Sequence, residues 1–120
     1  VGCVIDGVTR DIDEYKELNL PVYGRGFIQQ SIRNRCACAG YQIEVQLGGV
    51  PVRPGDLIVA DENGICVVPT DRLEEVLGFA QLFKSIEDKI IEEVRSGVDA
   101  VTAHENVRYD LMTKAGYEPN

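Results

Sequence analysis

Short apolar runs separated by turn-forming residues dominate the first half of the chain. Residues 41–47 alternate apolar and polar positions with a period of two, which predicts a half-exposed strand with Tyr41, Ile43, Val45 and Leu47 turned inward. Most of the other runs are continuously apolar, as in buried strands. The predicted strands are 2–6, 21–24, 35–38, 41–47, 50–52, 57–60 and 65–68.

Turn signals connect these strands. Asp6-Gly7 predicts a turn after the first strand. The segment 53–56 places Pro and Gly where a type II turn requires them. The segment 61–64 ends in Asn-Gly, the strongest short hairpin signal. Turn geometry therefore accounts for Asp56, for Asp61 and for the glycine that follows Asn63.

Apolar residues at helical spacing predict a short helix after the first strand and longer helices in the second half. Asp71 and Glu74 resemble a capping box at the start of the long helix, and Gly97 is its expected C-cap. Thr102 and Glu105 form a second capping box. The predicted helices are 11–18, 71–96 and 103–115, the last ended by Gly116.

Composition indicates an ordinary globular protein. The 120 residues suffice for one domain with a core, and 44% of them are apolar. A formal net charge of −8 disfavours binding to nucleic acid and to anionic lipid. No apolar run has the length of a membrane span, and no signal peptide is visible. We expect neither a nucleic acid nor a membrane partner.

Four cysteines stand in apolar, strand-like contexts: Cys3, Cys36, Cys38 and Cys66. They show neither the CxxC spacing of a metal site nor the density of a small secreted scaffold. We expect buried free thiols, which points to a reducing, cytoplasmic location. The chain also lacks an initiator Met and begins inside a predicted strand, so we expect it to be the C-terminal part of a longer protein or one chain of a divided one.

The candidate chemistry lies where the first strand ends. Arg10-Asp11 with Glu14 places a guanidinium and two carboxylates at this elbow. From the residues alone, Asp11 could equally be the N-cap of the helix or a metal ligand. Arg10 could be a surface ion pair, and Glu14 a solvated acid of the first helical turn. Asp6 is better explained as a turn residue than as a ligand.

Three segments resemble the RraA-like/4-hydroxy-4-methyl-2-oxoglutarate aldolase family: VIDGVTRDIDE at 4–14, PVYGRG at 21–26 and LGGVPVRPGDLIVADENGICVVP at 47–69. The third is the most specific. The resemblance covers roughly residues 2–97 and implies an α/β fold, a swivelling β/β/α-type domain with antiparallel strands and a long C-terminal helix. We expect an RraA-like domain at 1–97, with its N-terminal part missing, and a helical extension at 98–120 that packs on a neighbouring subunit.

The resemblance also implies an activity. Members are divalent-metal-dependent aldolases that cleave a 4-hydroxy-2-oxo acid, such as 4-hydroxy-4-methyl-2-oxoglutarate, to pyruvate and a second 2-oxo acid. Oxaloacetate decarboxylation is the expected side activity, because it passes through the same enolate. The implied cofactor is Mg²⁺ or Mn²⁺, and the implied assembly is a homotrimer or hexamer with its active site at a subunit interface.

The family pattern gives roles to individual residues. Asp11 would be the direct metal ligand, Arg10 would hold the substrate carboxylate, and Glu14 would hold a metal-bound water or tune the site. Glu87 is the best match by spacing for a glutamate that a neighbouring subunit contributes, although a solvated helix face also explains it. The only histidine, His104, is expected at the surface.

Gly24, Arg25 and Gly26 resemble the family's loop after the second strand. Many members have a proline beyond this loop, whereas Gln29 and Gln30 stand here, so the rim of the pocket and the substrate could differ. The alternative function is that of a non-catalytic RraA-like regulator that binds a ribonuclease. The acid at Glu14 favours the aldolase, since the regulator branch tends to lack it.

Overall fold

A computed structural model describes residues 2–109 of the chain. They fall into two compact units that divide between Pro69 and Thr70. The elements of the first unit are β1 Cys3–Thr9, α1 Ile12–Glu17, β2 Val22–Phe27, β3 Val45–Leu47, β4 Val50–Val52, β5 Leu57–Asp61 and β6 Gly64–Val68. Those of the second are a 3-10 turn Thr70–Arg72, α2 Leu73–Arg95 and α3 Ala100–Asn106. The predicted class, α/β with antiparallel strand pairs and a long helix, is confirmed.

Strands β1 and β2 form a parallel pair. Cys3 lies opposite Val22 and Thr9 opposite Phe27, with a shift of register between Ile5 and Val8. Parallel neighbours require a crossover connection, and α1 supplies it. The chain therefore leaves β1, forms about one and a half helical turns and returns to run beside β1 as β2. The change of direction at the end of β1 creates the elbow at residues 10 and 11.

The other four strands form two antiparallel hairpins, β3 with β4 and β5 with β6. Gly48 and Gly49 turn the first hairpin with φ angles of 61° and 83°. In the second, Asp61 accepts the backbone N–H groups of Asn63 at 2.8 Å and Gly64 at 3.2 Å, and the Asn63 contacts lower the pKa of its carboxyl. The predicted turn role of the segment 61–64 is confirmed.

The turn at 53–56 also has the predicted form. The backbone N–H of Asp56 donates to the carbonyl of Arg53 at 3.1 Å, and Gly55 has a φ of 96°. That positive φ at the third position is the mark of a type II turn. The Asp56 carboxylate accepts the backbone N–H of Arg53 at 2.8 Å and closes the turn from the other side.

One carboxylate ties the parallel pair to the first hairpin. Asp6 on β1 forms an ion pair with the Nε group of Arg25 on β2 and accepts the backbone N–H of Gly48 at 2.8 Å. The Arg25 contact first, and the Gly48 contact second, lower the pKa of Asp6 from its ordinary value of 3.8. The prediction of a turn at Asp6-Gly7 is wrong, because the strand continues to Thr9 and the register shift absorbs these residues.

Residues 28–44 form no helix or strand. Their backbone is irregular, with one short turn at 33–35. The predicted strand at 35–38 is absent, and the strand at 41–47 is reduced to β3. Positive φ angles at Asn34 (62°) and Gln42 (53°) interrupt an extended path. Tyr41 is 88% exposed instead of turned inward.

The predicted burial of the cysteines is also wrong. All four are free, and all four are exposed. Each sheet has two strands, and several large apolar side chains of those strands are exposed as well, including Val8, Val45 and Val59. Among the described residues, the buried ones are Thr9, Val68, Ile86, Ile90 and Ala103, and only Ala103 is completely buried. Few of the described residues are therefore buried in either unit.

The second unit packs α3 against α2. Ile86, Ile90 and Ala103 form its buried cluster, and Val98 packs against them. Helix α2 ends in a Schellman motif: Val98 N–H donates to Glu93 and Gly97 N–H to Val94, both at 3.1 Å, with Gly97 at a φ of 100°. The predicted cap at Gly97 thus has a clear geometric basis.

Both predicted capping boxes differ from the structure. Arg72, not Asp71, is the N-cap of α2, because a 3-10 turn precedes the helix and no side chain caps it. Asp99, not Thr102, caps α3, accepting the N–H groups of Val101 and Thr102 at 3.1 Å each. The predicted helix end at Gly116 and part of the helix 103–115 lie outside the described residues. Within residues 2–109, no helix combines the length and the apolar character that crossing a membrane requires.

The conformation of Gly97 predicts opposite effects for two Gly→Ala substitutions. Gly97→Ala should destabilise the chain by about 1 kcal/mol, because alanine disfavours positive φ. Gly78→Ala, at an exposed position within α2, should stabilise it by about 0.5–1 kcal/mol. A Cβ at either position would have no atom within 4 Å, so only backbone conformation separates the two variants. Urea unfolding measures both, and effects of the same sign would contradict the assignment.

The Asp6 contacts predict a pH-dependent stability. Asp6→Asn should lower the free energy of unfolding at neutral pH, since it removes the carboxylate that binds Arg25 and Gly48. The folded-state pKa lies below the unfolded one, so this stabilisation is complete above about pH 4 and is lost as the pH falls through the lower, folded-state value. Urea unfolding from about pH 7 to about pH 3 should show the gap between wild type and variant closing on the acid side.

Two arginine variants serve as controls for this prediction. Arg25→Gln removes the partner and should produce the same closing gap. Arg33→Gln removes an arginine that forms no ion pair within the described residues and should leave the pH dependence unchanged. A gap of constant size across the pH range for Asp6→Asn would show that the carboxylate's charge is not what stabilises this contact.

Candidate active site

The elbow between β1 and α1 carries the predicted site residues. Asp11 is the N-terminal flanking residue of α1 and has a left-handed backbone, with φ 67° and ψ 45°. Its carbonyl accepts the N–H of Tyr15 at 3.2 Å and so begins the helix. A left-handed conformation costs a residue other than glycine about 1 kcal/mol or more, and such residues concentrate at functional sites.

Arg10 and Asp11 form an ion pair with each other. The Nε group of Arg10 donates to the two carboxylate oxygens of Asp11 at 3.0 and 3.2 Å. Both side chains are about half exposed, at 47% and 48%. The contact uses only Nε, so the two terminal amino groups of the guanidinium have no partner within the described residues. They retain the planar pair of donors that suits a carboxylate.

The Asp11 carboxylate does not cap its helix. It makes no side-chain hydrogen bond to the N–H groups of the first turn. Asp11 therefore occupies the N-cap position of α1 through its backbone, as one of the two sequence-based explanations predicts, but its side chain does not act as the cap. The carboxylate is instead presented to solvent beside Arg10, where a cation or a substrate can reach it.

An open depression of about 720 Å³ adjoins this pair. Helix α1 forms one side and the end of β2 the other; its lining includes Arg10, Asp11, Glu14, Phe27 and Gln29. The structure thus brings three of the four predicted site residues together. The depression combines three carboxylates, a guanidinium and the ammonium group of Lys16 with apolar carbon, which suits a small anion bound through a cation.

Glu14 lies one helical turn beyond Asp11. Its side chain forms no hydrogen bond or ion pair with any described residue, so it is free to accept a proton or a hydrogen bond. Its neighbour Asp13 lines the same depression and is likewise unpaired within residues 2–109. The family resemblance gives Asp13 no role in the site, so Asp13 offers a matched control for both Asp11 and Glu14.

Glu87 lies on α2 in the second unit. The hydroxyl of Tyr109 donates to its carboxylate at 3.4 Å, a long contact. Its role as a residue contributed by a neighbouring subunit stays a prediction. His104 is exposed, as expected; its Nδ1 contacts the carbonyl of Ala100 at 2.6 Å, and its ring meets that of Tyr109 edge-on.

Sequence reasoning missed the contacts that hold the elbow in place. Thr9, one of the few buried residues, shares a 2.9 Å hydrogen bond between its hydroxyl and that of Tyr15, which joins the end of β1 to α1. The backbone N–H of Ile28 donates to the carbonyl of Thr9 at 2.8 Å. The available signal was the pair of hydroxyl-bearing residues on either side of the charged motif.

Gly24, Arg25 and Gly26 lie within β2, so the expectation that they form a loop after the second strand is wrong. Parallel pairing with β1 extends through them to Phe27. Gly24 faces the backbone of Gly7, where an added Cβ would come within 3.3 Å of the carbonyl oxygen. Arg25 is occupied by Asp6 and does not line the depression.

The candidate site offers a metal ion one or two carboxylate ligands. Within residues 2–109, no three His, Cys, Asp or Glu side chains are grouped as a metal site would need. Zinc sites of the structural type require four protein ligands. Mg²⁺ and Mn²⁺ are held through one or two carboxylates, water and substrate, so Asp11 with Glu14 fits those ions and not a closed zinc site.

Comparison with known proteins identifies the family. A family model described as "RraA-like: Aldolase/RraA" matches residues 1–67. A curated relative from Halalkalibacterium halodurans, named "Putative 4-hydroxy-4-methyl-2-oxoglutarate aldolase", is 34% identical over 103 residues, which cover 86% of this chain and 49% of that protein. The chain spans about half or less of the length of the curated relatives first matched.

Two solved structures share the fold. One, an uncharacterized protein from Pseudomonas syringae pv. tomato, matches with a TM-score of 0.77 and 37% identity, covering 82% of this chain and 49% of that one. The other is Streptomyces coelicolor RraAS2, described as an unusual member of the RNase ES inhibitor RraA protein family. It matches with a TM-score of 0.61 and 26% identity, covering 79% of this chain and 56% of that one. Since the family model covers more than half of its residues, the chain belongs to the RraA-like family.

Proposed function

We propose that this chain forms part of a divalent-metal-dependent aldolase that cleaves a 4-hydroxy-2-oxo acid, such as 4-hydroxy-4-methyl-2-oxoglutarate, to pyruvate and a second 2-oxo acid. The observation that carries the proposal is the Arg10–Asp11 pair, whose aspartate has a left-handed backbone and a carboxylate that makes no capping hydrogen bond to its helix. The name of the Halalkalibacterium halodurans relative supports the same substrate class.

Asp11 would hold the ion, Mg²⁺ or Mn²⁺, with water and substrate completing its coordination. When bound, such an ion supplies Lewis-acid stabilisation of the negative charge that develops on a 2-oxo acid. Arg10 would bind a substrate carboxylate through its two terminal amino groups, which orients the substrate beside Asp11. Its Nε can keep its contact with Asp11 during binding.

Glu14 would accept the proton of the C4 hydroxyl as the bond between C3 and C4 breaks. Loss of that proton lets C4 become a carbonyl, while the electron pair of the broken bond remains on the pyruvate fragment as its enolate. The lack of a partner for Glu14 in residues 2–109 fits a proton acceptor. Glu87 of a neighbouring subunit would stand near the leaving fragment, in a homotrimer or hexamer with the site at the interface.

The same groups would serve oxaloacetate decarboxylation, because loss of carbon dioxide generates the same enolate. A cytoplasmic location belongs to this proposal. A regulator that binds a ribonuclease is the second candidate, favoured by the similarity to RraAS2 and by an acidic chain that suits a basic protein partner. The carboxylate of Glu14 in the depression argues for the aldolase.

Asp11→Asn in the full-length gene product should reduce Mg²⁺-dependent pyruvate release by more than about 100-fold, since it removes the carboxylate proposed to hold the ion. Asp13→Asn removes a neighbouring carboxylate of the same depression and should leave the rate within about twofold. A coupled assay that follows pyruvate formation, with and without EDTA, measures both variants.

Two outcomes would overturn the proposal. Undiminished turnover in Asp11→Asn would remove Asp11 from the site. Absence of any EDTA-sensitive turnover in the wild type, together with capture of a ribonuclease, would establish the regulator instead.

A further inference from the structure

The segment between β2 and β3, residues 28–44, carries two exposed free thiols that the proposed chemistry does not use. Cys36 and Cys38 lie two positions apart. Cys3 and Cys66 differ from them because each lies in a paired strand, opposite Val22 and Val59. Among the described cysteines, only Cys36 and Cys38 are therefore close together in the sequence and outside any sheet.

Chain geometry allows the two sulfurs to meet. Residues two apart have Cα atoms separated by about 5–7 Å, depending on backbone conformation. Most disulfides have Cα separations of about 4.4–6.8 Å. The backbone at Cys36 and Cys38 belongs to no strand or helix, so it can reach the compact end of this range without breaking a ladder of hydrogen bonds.

The charge around the thiols is opposite to that of the chain. Residues 18–43 contain no Asp or Glu, although the whole chain has a net charge of −8. Arg33 and Arg35 immediately precede Cys36, and neither has a carboxylate partner within the described residues. The Arg35 guanidinium instead donates to the amide oxygen of Gln30, at 2.9 and 3.2 Å, once that amide is oriented to satisfy both groups. Positive charge nearby attracts small anions.

The two thiols are not equivalent. The Cys38 thiol donates a hydrogen bond to the carbonyl of Gly40 at 3.4 Å, while Cys36 forms no hydrogen bond with any described residue. Cys36 is also the nearer of the two to Arg35 along the chain. These differences assign Cys36 as the attacking thiol and Cys38 as the resolving one.

We propose that Cys36 and Cys38 form a redox-active dithiol that closes reversibly to a disulfide by exchange with a small anionic disulfide of the glutathione class. The Cys36 thiolate attacks one sulfur of the oxidant, forming a mixed disulfide and releasing one glutathione thiolate. The Cys38 thiolate then attacks the Cys36 sulfur, which forms the internal S–S bond and releases the second glutathione. The two thiol protons end on the two glutathione molecules, so the protein loses two electrons and the oxidant gains them.

The test uses the full chain with Cys3→Ser and Cys66→Ser, which retains only the proposed dithiol. Incubation with glutathione disulfide should lower its mass by about 2 Da, and excess reduced glutathione should reverse the change. Digestion with trypsin then assigns the bond to these two residues. Trypsin cleaves after Arg35 and next after Arg72, because the proline at position 54 blocks cleavage after Arg53. The peptide 36–72 of this variant therefore contains both thiols and no other.

Matched variants distinguish closure of the internal disulfide from the ordinary reactivity of an exposed thiol. Adding Cys38→Ser removes the resolving thiol, so a glutathione adduct of about 305 Da should accumulate on Cys36. Adding Cys36→Ser should leave Cys38 to react severalfold more slowly than Cys36 does in the Cys38→Ser chain, because the Cys38 thiol is hydrogen-bonded to the carbonyl of Gly40. A variant that keeps only Cys3 and Cys66 should give no loss of about 2 Da.

Three results would overturn the proposal. They are a stable adduct on the chain that keeps both Cys36 and Cys38, disulfide-linked dimers in place of the internal bond, and no reaction under conditions that oxidise a free dithiol peptide of residues 33–41.

Discussion

The parallel pairing of β1 with β2 is the constraint on which the first unit depends. A parallel neighbour cannot be reached by a tight hairpin, so the chain has to cross over, and here it crosses over through the six residues of α1. Such a short crossover leaves little backbone for the change of direction. The turn falls on Arg10 and Asp11, and Asp11 takes the left-handed conformation that the path requires.

This constraint explains why the candidate chemistry lies at the elbow. The Thr9–Tyr15 hydrogen bond and the Ile28 to Thr9 contact hold the end of β1 against both neighbours. The side chains of Arg10 and Asp11 are consequently fixed at the rim of the depression while remaining half exposed. A rigid backbone with accessible charged groups is the arrangement that binding a small anion through a cation requires.

Local signals in the sequence predicted the parts of the fold that local chemistry determines. The type II turn at 53–56, the hairpin at 61–64, the cap at Gly97 and the long helix all depend on residues close together in the chain. The errors arose where contacts with residues distant in the sequence determine the local backbone structure. Asp6-Gly7 looks like a turn until Arg25 and Gly48 hold it in a strand, and the alternation at 41–44 finds no partner strand in the described residues.

The candidate site, like the fold, was predictable from the sequence where its residues lie close together in the chain. Its charged motif is contiguous in the sequence, so Arg10, Asp11 and Glu14 could be named together. The two hydroxyl-bearing residues that support the motif flank it in the sequence, but their residue types do not show that the two hydroxyls meet across six positions. Cys36 and Cys38 were expected to be buried because apolar neighbours surround them, yet burial requires a covering layer that sequence alone does not reveal.

The central claim is that Asp11 holds a divalent cation, and a Mn²⁺ titration followed by electron paramagnetic resonance tests it most directly. Bound Mn²⁺ loses the sharp signal of the free ion, so binding is measured without any substrate or turnover. We expect the full-length gene product to bind Mn²⁺ at one site per chain, Asp13→Asn to retain this site, and Asp11→Asn to lose it. Equal Mn²⁺ binding by the wild type and Asp11→Asn would show that Asp11 does not hold the cation.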